Sequence, residues 1–431
     1  MNDAAIAENR VSEERVYAKV TWRIIPFLFL CYVVAYLDRV NVGFAKLQMV
    51  ADLKFSETVF GLGAGLFFIG YFLFEVPSNV ILHKVGARIW IARIMITWGV
   101  ISALTLYASS EMSFYALRFL LGLAEAGFFP GIILYLTYWY PAERRGRIVT
   151  LFMTAIALSS VIGAPISGWI MQNLNGVNGL AGWQWMFLLE GIPSVLVGLF
   201  TIYYLDDSIT QAGWLSDAEK ALLAQRIAED NTHKEALSVS QTLFNSRVWL
   251  LGLIYFCFVM GLYGVGFWLP TIIKALGVKS LFDVGLLTAI PYAVATVGMI
   301  LVSRSADARR ERRWHVVIPA LAGSVGLVLS TLLSGDPAMA MAALSLATFG
   351  IITTLPLFWS LPTAYLGGVA AAAGIALINS LGNLAGFVSP FLIGKIKDAT
   401  QSTDAGMFML ATSLIIGAAL TLTLPAKRVN R

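Results

Sequence analysis

Charge is what this sequence has least of. Asp, Glu, Lys and Arg make up 13% of its 431 residues, about half the share in a soluble globular chain. With 58% hydrophobic residues, so little charge cannot cover a soluble surface, and the composition places the chain among polytopic membrane proteins. Cysteine is nearly missing. Cys31 and Cys257 each lie in an apolar run, which excludes a disulfide framework and a cysteine metal site. The three histidines, His83, His233 and His315, are scattered, so no metal is expected. No Walker A motif, metalloprotease pattern or nucleophile motif is present. Neither an ATP-driven pump nor an enzyme is expected, and no cofactor. The run GLGAG at 61–65 resembles a dinucleotide loop, but it sits in an apolar helix with no strand before it. Close helix packing is the expected use of those glycines. Residues 1–23 are polar, and the apolar run after them lacks a small-residue cleavage site. It is expected to be a retained first helix rather than a signal peptide.

What the sequence has in abundance is long hydrophobic runs. About 20 apolar residues span a hydrocarbon core. The runs predict an all-α integral membrane protein of twelve transmembrane helices, near 22–45, 57–79, 88–108, 113–139, 147–171, 184–205, 248–275, 282–304, 314–333, 338–366, 369–395 and 404–425. Polar segments such as YPAERRGR (140–147) separate them, and the break near YLGGVAAAAG (365–374) carries no charge. The polar stretch 206–247 divides the chain into an N-terminal six-helix bundle, 1–205, and a C-terminal one, 248–431. Within it, 215–230 predicts a surface helix capped by Ser216 and Glu219. Lys and Arg settle the expected orientation. With both termini inside, inner segments hold 22 of the 30 and outer loops hold 6, Lys46 and Lys397 among them, while Arg39 and Arg118 fall within helices. This bias predicts cytoplasmic termini in an inner membrane. It also accounts for the net charge of +5 with the lipid bilayer as partner and no nucleic acid.

Six ionisable residues fall inside the apolar runs: Asp38, Arg39, Glu75, Arg118, Glu125 and Glu190. Burying such groups costs several kcal/mol, so they face partners or water-filled cavities. All six lie in the first half, while the second half supplies neutral polar groups: Tyr263, Trp268, Trp359, Ser360, Thr363, Asn379, Ser380 and Asn383. Tyr32, Tyr36 and Arg39 share one helix face, as do Arg118, Gly122 and Glu125, and Asn379 with Asn383. A guanidinium matches a carboxylate in two-point contact, and a carboxyl in a low-dielectric cavity can load and release protons. The pattern points to binding of an organic anion coupled to protons. The alternative is that the same charges are only ion pairs holding helices together, Asp38 with Arg39 and Arg118 with Glu125. Glu75 and Glu190 are expected to be structural or gating residues.

The six-plus-six layout resembles the major facilitator superfamily. The strings YLDRVNVGFA (36–45), GYFLFEVPSNVILHKVGAR (70–88), RFLLGLAEAGFFPGIILYLTYWYPAERRGR (118–147), FLLEGIPS (187–194), FWLPTIIK (267–274) and GIALINSLGNLAGFVSP (374–390) resemble its anion:cation symporter family, and within it bacterial tartrate and phthalate permeases. The resemblance implies a monomeric, proton-coupled importer of a small organic anion, with an exchanger or a non-transporting sensor as alternatives. It implies that Arg39 binds substrate, that Asp38 and Glu125 couple protons, and that Arg118 connects with Glu125; Arg118 is also expected to bind substrate, since two arginines could hold a dianion or grip one carboxylate from two sides. Tyr36, Tyr71, Trp359 and Asn379 would line the cavity, with Ser360 and Asn383 beside them. Where the superfamily usually has Asp after the second helix, this chain has His83, while the second half keeps Asp307. The inner gate would then close differently in the two halves.

Overall fold

The computed structural model describes residues 3–232, 244–365 and 368–430. Among them there is no strand. Twelve helices are long and apolar enough to cross a membrane: α1 Glu13–Asp52, α2 Glu57–Val85, α3 Ala87–Tyr107, α4 Glu111–Thr137, α5 Leu151–Asn173, α6 Gly182–Tyr204, α7 Ser246–Ala275, α8 Leu281–Arg309, α9 Arg313–Leu332, α10 Pro337–Pro362, α11 Gly374–Thr400 and α12 Asp404–Leu422. An even number of spans puts both chain termini at one end of the bundle, called the terminal end below. The other is the far end.

Local chemistry sets the boundaries. Ser56 caps α2 by accepting from the Val59 amide, and Ser280 does the same for Asp283 in α8. Two spans are interrupted. In α1 the helix stops at Val40 and resumes at Val42, where the Phe44 amide bonds the Asn41 carbonyl at 2.8 Å instead of reaching back four residues. In α4 it stops at Glu125 and resumes at Phe128 through Gly127, whose φ of +85° is a left-handed conformation suited to glycine. Both interruptions adjoin the intramembrane charges. The surface helix Asp217–Thr232 forms as expected. Its capping box is closed by Glu219 N–H to Ser216 Oγ at 3.3 Å and Ser216 N–H to Glu219 Oε2 at 2.8 Å. The remainder of the central segment, 233–243 with His233, lies outside the described residues, as do 366–367 in the expected 365–374 break.

The six spans before the central segment meet the six after it chiefly through α2 against α11 and α5 against α8. These are the second and fifth spans of each set, so the same positions make contact twice. Small residues bring the backbones together. A Cβ on Gly61 would lie 2.4 Å from the Pro390 carbonyl oxygen, and one on Gly168 2.4 Å from that of Leu281. The GLGAG run is thus a packing surface.

At the far end a charge network joins the halves. Glu57 binds Lys46 at 2.7 Å and Lys397 at 2.6 Å. Asp398 caps the start of α2 from the other half, accepting from the amides of Glu57 at 3.1 Å and Thr58 at 2.8 Å. Lys46, expected in an outer loop, is instead 4% exposed and lies 3.3 Å over the Trp268 ring. The aromatic face and Glu57 compensate the burial of its charge. Hydrogen bonds join the halves at the far end, such as Ser280 to Gln172 at 2.7 Å, in the middle between Arg39 and Tyr263, and on the terminal side of the middle between Glu75 and Asn379. The molecule is therefore closed at the far end.

Candidate functional site: a tyrosine-walled cavity around Arg39

Asp38 and Arg39 are neighbours in sequence, so their side chains leave the helix about 100° apart. They serve different places. Asp38 turns into the first half, 1% exposed. It accepts from Trp98 Nε1 at 3.0 Å and Ser102 Oγ at 2.9 Å, both on α3, and closely from Ser194 on α6. Arg39 turns toward the second half. Its Nε donates to Glu125 Oε1 at 3.1 Å, with Nη2 against the same oxygen, and its Nη1 donates to Tyr263 of α7 at 3.0 Å. The rings of Tyr36, Phe67 and Tyr71 surround the guanidinium at 5.4–5.7 Å. Arg39 is thus paired with Glu125, not with Asp38.

Arg118 does not pair with Glu125 either. Two turns separate them, a rise of about 10 Å. Arg118 is fully buried beside the Phe67 ring, 5.2 Å away, and none of its three guanidinium nitrogens has a hydrogen-bond partner among the described residues. It is a positive charge held behind the cavity wall, within electrostatic reach of both Glu125 and Arg39.

A small cavity lies between the halves. From the first half Tyr32, Tyr36, Arg39 and Tyr71 line it, and from the second Tyr255, Tyr263, Asn379 and Asn383. Among the described residues Arg39 is the only Lys or Arg in that lining, and the Asn383 amide nitrogen has no hydrogen-bond partner within 3.5 Å. Asn379 is shared, since its Nδ2 donates at 2.8 Å to Glu75, which also accepts from Ser380 at 3.3 Å. This contact, one turn beyond Tyr71, bridges α2 and α11. It makes Glu75 a link between the halves.

Five of the expected site residues therefore meet at the cavity: Tyr36, Arg39, Tyr71, Asn379 and Asn383, with Glu125 behind Arg39. Neither Glu125 nor the other four line it. Arg118 and Asp38 face into the first half. Trp359 backs the wall, its ring centre 4.9 Å from that of Tyr255. Ser360 gives its hydroxyl to the Leu357 carbonyl at 2.6 Å, because a serine one turn on finds that acceptor within its own helix. Tyr255 and the Trp98–Ser102–Ser194 cage of Asp38 carry no distinguishing signal in the sequence. Aromatics and small hydroxyls are common throughout membrane helices.

At the terminal end of the first half, the position left without Asp by His83 is served from elsewhere. Asp207, after α6, accepts from the Arg88 amide at 2.8 Å at the start of α3, while His83 meets Tyr138 Oη at 3.2 Å. In the second half Asp307 pairs with Arg312 at 2.5 Å. The two halves do use different contacts there.

The fold and the charged cavity between two sets of six helices define a membrane transporter. The chain belongs to the Major Facilitator Superfamily, whose sequence model matches residues 28–390. It is 52% identical over 418 residues to the "Putative metabolite transport protein NicT" of Pseudomonas putida, covering 96% of each chain. It is 51% identical to a "Putative tartrate transporter" of Agrobacterium vitis, covering 96% of this chain and 95% of that one. The "Inner membrane transport protein RhmT" of Escherichia coli is 40% identical, with 100% and 96% covered. Among solved structures, a D-xylose-proton symporter superposes with a TM-score of 0.75 at 15% identity, covering 95% of this chain and 99% of that one. A bacterial Spinster homologue in an inward-facing, occupied conformation gives 0.76 at 16% identity, with 94% and 96% covered. At such identities the likeness is one of fold. The chain is a multi-pass membrane transporter, not an enzyme.

Proposed function

We propose that this transporter moves a small organic carboxylate, a hydroxy-dicarboxylate such as tartrate or an aromatic acid such as phthalate, inward together with protons. It does so across the inner membrane, with both termini in the cytoplasm. The observation that carries this reading is the Arg39–Glu125 pair at the cavity wall. A guanidinium already held by a carboxylate can exchange that partner for a substrate carboxylate only if the displaced acid is neutralised, and a proton does so at least cost. Substrate and proton then bind together because each removes the obstacle to the other.

In this scheme Arg39 grips the carboxylate. Tyr36, Tyr71, Asn379 and Asn383 surround its body, with Trp359 and Ser360 supporting the second-half wall. Glu125 takes one proton and Asp38 another, and Arg118 expels the proton from Glu125 once substrate has left. The lysine and arginine bias supports the orientation, and the inner-membrane relative supports the location. The closed far end would then face away from the cytoplasm.

The test uses purified protein in liposomes loaded with a pH-sensitive dye. Tartrate, phthalate and sugar acids are added outside, to wild type and to Arg39→Ala. Internal acidification by one class, absent in the variant, is the expected result. Anion flux that requires a counter-anion and leaves pH unchanged would make the protein an exchanger. Binding without flux would make it a sensor.

A further inference from the structure

Two arginines in one cavity would suit a substrate with two carboxylates. Only one of them reaches the lining here. Arg39 lines the cavity, while Arg118 is fully buried beside the Phe67 ring, outside the lining. Among the described residues the second half contributes no charged side chain to the lining. The charged group that does bond to that wall is an acid, Glu75, which accepts from Asn379 at 2.8 Å. A substrate carboxylate on Arg39 is compensated by the guanidinium. A second carboxylate, held away from Arg39, would meet neutral donors with an acid beyond them. Burying a charge in such a place without a partner is costly.

Much of the remaining wall is apolar. Met153 and Ile156 of α5, Val259 and Leu262 of α7, and Leu355 of α10 face the cavity. They offer nothing to the hydroxyls of an aliphatic hydroxy acid, which lose their water on entry. Five tyrosines accompany them: Tyr32, Tyr36 and Tyr71 from the first half, Tyr255 and Tyr263 from the second. Three of these rings are backed by a second ring stacked on them. Tyr32 lies on Phe152 with centroids 4.4 Å apart, Tyr255 on Phe358 at 4.8 Å, and Tyr263 on Phe267 at 5.9 Å. Tyr255 also packs against Gly382, where a Cβ would lie 2.4 Å from its ring, so a side chain at 382 would displace it. Rings fixed in this way on both halves are flat, rigid platforms. Aromatic pairs in offset or edge-to-face contact gain more than their buried area alone provides.

We infer that the transported anion is an aromatic monocarboxylate. Its one carboxylate goes to Arg39, and its planar ring lies among the tyrosines of the two halves. The inference rests on the carboxylate reading above and narrows it. Tartrate and phthalate, each with two carboxylates, rank below an aromatic acid with one. Arg39 supplies the affinity for the charge, and Tyr255 with its neighbours supplies the choice of a flat ring.

The experiment measures binding to the purified full chain by titration calorimetry. Binding is read rather than acidification, because a neutral aromatic acid crosses lipid unaided. The probes form two matched pairs, with tartrate added. Para-carbamoylbenzoate and terephthalate share a ring and a length and differ by one charge. Benzoate and cyclohexanecarboxylate share the charge and differ in the flatness of the ring. The carbamoyl compound is expected to bind at least tenfold more tightly than terephthalate, and benzoate at least fivefold more tightly than cyclohexanecarboxylate and tartrate. In Tyr255→Leu the benzoate preference over cyclohexanecarboxylate should fall to near unity, while cyclohexanecarboxylate affinity changes less than threefold. A merely structural role for Tyr255 would weaken both acids alike and would overturn its part in the choice. The wild-type pairs decide the inference without any variant. Terephthalate or tartrate binding as tightly as the monoacids, with loss in Arg39→Ala, would leave the carboxylate reading standing and overturn this inference alone. Saturable binding by none of the five, or binding unchanged in Arg39→Ala, would overturn both.

Discussion

One guanidinium decides what the cavity can hold. Arg39 faces Glu125, Tyr263 and three aromatic rings at once, and a hydrogen bond to a charged group contributes about 1.5–3 kcal/mol. Arg39→Ala should lower substrate affinity by at least tenfold, read by titration calorimetry or thermal shift with the transported anion. Arg39→Lys should recover only part of it, because an ammonium cannot offer the planar fork. Glu125→Gln removes the charge that competes with substrate. Binding and counterflow should survive, while proton-driven accumulation should be lost in the same vesicles. Normal accumulation by this variant would take Glu125 out of the coupling scheme.

At the scale of elements, helix ends do work across the molecule. Asp398 on α11 caps α2, which belongs to the other half. Loss of a cap costs about 0.5–2 kcal/mol, and here the cost falls on the closed far end alone. Asp398→Ala should therefore shift the protein toward opening at that end, seen as faster labelling by a membrane-impermeant thiol reagent at Gln172→Cys. Unchanged labelling would mean that helix packing closes the end without the cap. The surface helix is held differently. The Lys19 ammonium, at 2.8 Å, and the Ser216 amide hold the Glu219 carboxyl below the usual carboxylate range. A depressed value means that the contact stabilises the docked helix above the unfolded pKa, near 4.3, and is lost as pH falls through the folded value. Hydrogen exchange in Asp217–Thr232 should be slow at neutral pH and rise below that range, by a small amount because the pair is solvent-exposed.

For the whole molecule, the halves touch chiefly through α2–α11 and α5–α8. Opening at the far end must break the Glu57–Lys397 and Asp398–Thr58 contacts. New contacts at the terminal end must replace them. If each substrate charge is outnumbered by protons, every net charge crossing 100 mV adds about 2.3 kcal/mol, or roughly a fifty-fold concentration ratio. Accumulation in energised vesicles should then collapse with a protonophore and rise with membrane potential. Accumulation indifferent to both would point to exchange.

The transmembrane class, the twelve spans and the family were all legible in the sequence. Hydrophobic length and charge scarcity are properties of the chain itself, and the motif strings are local. The glycine spacings were readable as packing surfaces for the same reason. The six intramembrane charges were also visible, since burying any of them costs energy wherever it points. What each one faces was not visible. Asp38 and Arg39 look like a pair on paper, yet one residue's step around a helix sends them to opposite surroundings. Arg39 met Glu125, 86 positions away, and Glu75 met Asn379, 304 positions away. Lys46 looked like a loop residue until the second half laid Trp268 against it. The sequence by itself determined which groups had to be compensated inside the bundle. Only the tertiary structure decided the partners, because packing one set of six helices against the other is what brings distant side chains within bonding distance.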